Sequence, residues 1–131
     1  MQLHHGNQTT HGKLKLFGLI CLVVTGVTIP LTIPHFTHST MIYHIILHIA
    51  SLAIAIFLSF IAVSAYYRDG RARLLFMALG FVTLAILEIL MLFSATGNLD
   101  EPIIPTVNVE LPHVVLLVMI TLFGLGVLKV N

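Results

Sequence analysis

Four unbroken apolar stretches constrain this chain more than any other feature. They run over residues 16–33, 41–67, 74–95 and 111–130. About 20 apolar residues at 1.5 Å rise cross the roughly 30 Å hydrocarbon core of a bilayer as a helix. The stretches are continuously apolar rather than alternating, so barrel strands are not expected. The predicted fold class is all-α: one integral membrane domain, a bundle of four transmembrane helices. Composition agrees. Only 8% of the 131 residues are charged, whereas a water-facing domain carries roughly 25%. An ordinary cytosolic enzyme, a nucleic-acid binder and a disordered protein are thereby excluded. The single Cys21 excludes a disulfide framework or a Cys-based zinc site within one chain.

Lys13 and Lys15 precede the first stretch, as in a signal peptide, but no small-x-small cleavage site follows. A retained helix is expected, bent or broken near Pro30, where proline removes a backbone donor. The preceding segment, with His4, His5 and His11, is expected to be a flexible tail. Its third residue is Leu3, so the amino-terminal copper motif that needs His there is absent. Asn7 to Thr9 matches a glycosylation sequon, which a cytoplasmic tail leaves unmodified. The second and third stretches join through the charged turn Arg68 to Arg73, and the longest loop is Thr96 to Glu110.

Charge placement sets an orientation. The six basic residues are Lys13, Lys15, Arg68, Arg71, Arg73 and Lys129. With four spans they all fall on one side, and the loops 34–40 and 96–110 hold none. By the positive-inside rule that side is cytoplasmic, so both termini are expected inside the cell membrane. Asp100, Glu101, Glu110, His35 and His38 then lie outside, with His44, His48 and His113 in the outer parts of their spans.

Glu88 is the sole carboxylate within a span. A charge at membrane depth costs about 2.5 kcal/mol or more, so Glu88 is expected to face the interior, a partner or a water cavity. Helix rise gives relative depths. Arg73 to Glu88 is about 22 Å, His113 to Lys129 about 24 Å and His48 to Arg68 about 30 Å. Glu88, His48 and His113 are thus within roughly two turns of one another. His44 and His48 are four apart and share a face, which continues through Ser51, Ala55, Ser59 and Ala62. On the first helix Gly18, Cys21, Thr25, Thr28 and Thr32 form a comparable stripe, and small residues favour close packing in lipid.

Two readings of the polar residues stand side by side. In one, His48, His113 and Glu88 ligate a metal, with His44 next; copper suits imidazole and carboxylate best, and zinc takes the same groups. In the other, Glu88 hydrogen-bonds one His and fixes helix register without metal. A third possibility uses His48 and His113 as axial ligands of haem b, with Ser51, Ala55 and Gly124 giving room. His35 and His38 read as interfacial residues. Nucleophile elbows, phosphate loops, zinc-protease helices and dinucleotide fingerprints are absent.

Residues Ala65 to Phe81, with their helix, basic turn and Gly-Phe entry, resemble small uncharacterised archaeal membrane proteins, as does Leu122 to Gly126. The Ile-rich helices, His-rich outer half and small size also look like accessory subunits of archaeal ammonia monooxygenase, a membrane copper complex. That resemblance implies an accessory or scaffolding subunit surrounded by lipid and other integral membrane subunits, with no catalytic residues of its own. The small haem b electron carrier is the alternative.

Overall fold

The computed structural model describes residues 4–35, 39–97, 103–104 and 109–128. Helix α1 spans His4–Thr32 and passes into a short 3-10 turn at Ile33–His35. Helix α2 spans Ser39–Asp69, α3 spans Ala72–Ala95 and α4 spans Leu111–Leu128. Two residue pairs between α3 and α4, β1 (Ile103–Ile104) and β2 (Val109–Glu110), form a small antiparallel ladder that sets Ile103 opposite Glu110. All four helices are long and apolar enough to cross a membrane.

Two details depart from the sequence reading. The segment expected as a flexible tail is helical from His4 onward, so α1 has 29 residues. Its polar first turns carry no apolar periodicity, the signal on which the span was drawn. As expected near Pro30, α1 ends at Thr32, two residues beyond it; the proline lacks the N–H that would bond the Gly26 carbonyl. The loop after α3 contains the short ladder, whose two-residue strands are too brief to show alternation.

The turn between α2 and α3 is tighter than the charged segment suggests. Only Gly70 and Arg71 lie outside helix. Gly70 takes φ +65°, the left-handed conformation that glycine reaches without penalty, and its N–H donates to the Tyr66 carbonyl at 2.7 Å. Arg71 is extended and opens α3.

Each helix packs chiefly on its neighbour in sequence, α1 on α2, α2 on α3 and α3 on α4, with the α2–α3 seam the most extensive. The core cluster gathers Ile20 and Val24 from α1, Ile45, Leu52 and Ala53 from α2, and Leu92 from α3. Ile45 is wholly buried. Ala55 and Ala62 are also buried, as the small-residue face on α2 predicts. On α1 the buried line is Ile20, Val24, Thr28 and Thr32, so that stripe is half right: Gly18 and Thr25 are exposed. Buried threonines keep their hydroxyls satisfied locally. Thr28 Oγ1 donates to the Val24 carbonyl and Thr32 Oγ1 to that of Ile29, both at 2.8 Å.

The α3–α4 contact rests on glycine. Gly80 lies against the Phe123 ring, which meets Phe81 edge-on at 5.1 Å. Gly126 lies against Met77 and Phe76 and is the only buried residue described in α4. The outer surface is apolar: Leu22 is 71% and Leu117 65% exposed. A monomer in water does not present so much contiguous apolar surface.

Candidate functional site: a His–His–Glu chain across two helices

The polar residues singled out above sort by helix face. On α2, His44 and His48 are one turn apart, so both rings emerge on one side. On α3, Glu88 is turned toward α2. Its Oε2 lies 2.7 Å from His48 Nδ1, and the two side chains are 15% and 14% exposed. A contact this short is that of a charge-assisted hydrogen bond, with the Nδ1–H donating to the carboxylate. His48 Nε2 in turn lies 3.2 Å from His44 Nε2. The rings stand nearly perpendicular, at 88°, with centroids 4.6 Å apart. His44 is exposed, so the chain runs from the surface inward to Glu88.

The tautomer follows from the carboxylate. With Nδ1–H committed to Glu88, neutral His48 carries its lone pair on Nε2, the atom aimed at His44. Glu88 therefore fixes both the orientation of the His48 ring and the nitrogen that is free to accept.

His113 does not join this chain. Its Nδ1 lies 3.1 Å from Glu110 Oε2, three residues earlier, and both side chains are well exposed. It also lines a cavity of about 80 Å³ with Leu87, Met91, Pro112 and Leu116. Glu88 does not line that cavity: Leu87, which does, is turned from it by about 100° around α3. Depth alone had grouped His113 with Glu88; the helix face separates them. Glu110, three residues before His113, was the available signal for its pairing. Of the four proposed ligands the structure thus brings together His44, His48 and Glu88. No group of three or more His, Cys, Asp or Glu side chains is arranged to hold one ion among the described residues. His38, Asp100, Glu101 and Lys129 lie outside the described residues.

The polar chain and the basic residues occupy opposite ends of the helices. Phe17 on α1 meets Phe57 on α2 at 5.1 Å, so the start of α1, with Lys13, lies toward the second half of α2. A Cβ on Gly126 would lie 3.5 Å from the Arg73 carbonyl oxygen, which puts the end of α4 beside the start of α3. Between these ends the α2–α3 seam is flanked by two open apolar grooves of about 300 and 320 Å³. Val24, Thr28 and Leu92 help line the first, and Phe60, Val63 and Val82 the second. The sequence did not announce the Phe17–Phe57 and Phe81–Phe123 contacts, although Gly80-Phe81 and Phe123-Gly124 place a ring beside a glycine on both helices.

The chain matches no protein-family model, no curated protein and no solved structure.

Proposed function

We propose that this chain is a multi-pass protein of the cell membrane, with both termini cytoplasmic, and that it serves as an accessory or scaffolding subunit of a membrane redox complex. The setting that best suits its His-rich end is an archaeal copper monooxygenase of the ammonia-oxidising type. The observation that carries the reading is the packing of α4. Among its described residues this helix fully buries only Gly126, and it leaves Leu117, Val118, Ile120, Val127 and Leu128 on an exposed apolar surface. Such a surface suits lipid and the helices of neighbouring subunits. The gathering of Lys13, Arg68, Arg71 and Arg73 at one end supports the orientation. The haem b alternative draws no support from the site, because His48 is paired with Glu88 and His113 with Glu110.

Native electrophoresis of mild-detergent membrane extracts tests the assembly: the chain is expected to migrate with larger integral membrane subunits. Migration at monomer mass, with no co-migrating protein, refutes it. Orientation is read from labelling of single cysteines at positions 13, 71 and 98 in a Cys21→Ser background. The first two are expected to react from the cytoplasmic side and the third from the opposite side; equal reaction of all three from one side overturns the topology.

A further inference from the structure

The separation of the two histidine nitrogens has a second meaning. Two imidazole nitrogens, each about 2.0–2.1 Å from a tetrahedral zinc ion, stand roughly 3.3 Å apart. His44 Nε2 and His48 Nε2 stand 3.2 Å apart. The ring planes stand at 88° with centroids 4.6 Å apart, so the two rings meet edge to face with their Nε2 atoms adjacent. Behind His48 stands the Glu88 carboxylate, 2.7 Å from Nδ1. A histidine that ligates a metal through one nitrogen and donates the other N–H to a carboxylate is the usual support of such a ligand.

We propose that His44 and His48 form a two-nitrogen zinc site through their Nε2 atoms, with Glu88 as the positioning residue that orients the His48 ring. Glu88 is not a ligand in this arrangement, and His113 takes no part. The His44 side of the site is exposed, so ligands from outside the chain can complete the coordination. A site with two protein nitrogens and open positions suits an exchangeable ion rather than a sealed structural one. The inference does not depend on membership of a complex: it holds for the isolated chain, so the native-gel experiment and this one fail independently.

The test is equilibrium dialysis of the purified full chain against Zn²⁺ in detergent, followed by elemental analysis. His4, His5 and His11 are replaced by Ala throughout, which removes a competing cluster. About one zinc per chain is expected. His44→Ala should abolish retention, and because His44 is exposed and outside the α2–α3 seam, helicity by circular dichroism should be unchanged. Glu88→Gln should weaken binding by about 10- to 100-fold with the stoichiometry kept, as loss of such an orienting carboxylate does. His113→Ala should bind as the parent does. Co²⁺ in place of zinc should give the visible absorption of a tetrahedral site. No retained zinc in the parent, equal retention in His44→Ala, or loss in His113→Ala each overturns the proposal.

Discussion

Gly80→Ala is the sharpest probe of how α4 is held. A Cβ at this position would lie 2.7 Å from Phe123 Cε1, 2.9 Å from Cδ1 and 3.0 Å from Cζ. Carbon atoms in comfortable contact are about 3.5–4.0 Å apart, so the ring must retreat by roughly 0.8 Å. It is not free to do so, since its edge packs on Phe81. Overpacking of this kind costs about 1–3 kcal/mol, and the better helix propensity of alanine returns about 1 kcal/mol. Gly124→Ala supplies the reference. No atom lies within 4 Å of a Cβ built there, so this variant keeps the propensity gain without the clash. The propensity contribution is common to both, so Gly80→Ala should be less stable than Gly124→Ala by the overpacking cost itself, about 1–3 kcal/mol. Gly126→Ala belongs between them: its nearest neighbour is Met77 Cγ at 3.3 Å, part of a side chain that adapts. Reversible unfolding in mixed micelles, followed by helicity, measures all three. Adding Phe123→Leu to Gly80→Ala should recover part of the loss. Gly80→Ala and Gly124→Ala of equal stability, to within about 0.5 kcal/mol, would refute the reasoning.

Three further outcomes are expected. A double-mutant cycle of His48→Ala and Glu88→Ala, read by the same unfolding assay, should give a coupling of about 1.5–3 kcal/mol, because a short hydrogen bond to a charged group is lost with either partner. Additive single effects would remove the bond as a clamp. Gly70→Ala should destabilise by about 1 kcal/mol, since φ is +65° there, while Gly26→Ala, with nothing near its Cβ, should be neutral or stabilising; the reverse order would show that the α2–α3 turn is not as described. His113→Ala should change stability by less than about 0.5 kcal/mol, its pair with Glu110 being exposed, and a loss near that of His48→Ala would place His113 in a packed site.

The helices were legible because each depends on a property that every residue of the stretch carries. Apolar character over some 20 positions needs no knowledge of neighbours. The meeting of His48 and Glu88 was half legible: rise along the helix set their depths, and the small-residue face running from His48 through Ser51 and Ala55 aimed His48 inward. His113 shows where that arithmetic stops. Depth is one coordinate, and rotation about the helix axis is the other, which Leu87 and Met91 settle only once α4 is seen against α3. On α1 the weight given to small residues drew the stripe through Gly18 and Thr25, whereas Ile20 and Val24 carry the packing. Which ring meets which glycine, as at Phe123 and Gly80, depends on the pairing of helices, which no single segment encodes.

The α2–α3 hairpin is tied at two levels, by the two-residue turn at Gly70 and, further along both helices, by the bond between His48 and Glu88. Mechanically it is a pair of arms joined at a hinge and latched partway along. The latch lies about 24 to 32 Å from the hinge. Opening the hinge by only about 1° would part the arms there by roughly 0.5 Å, the full span between a short and a long hydrogen bond. The latch therefore resists a change in the angle between these helices. A rearrangement that leaves the latch shut has to be taken up at the joints with α1 and α4, where the seams are glycine, threonine and aromatic rings.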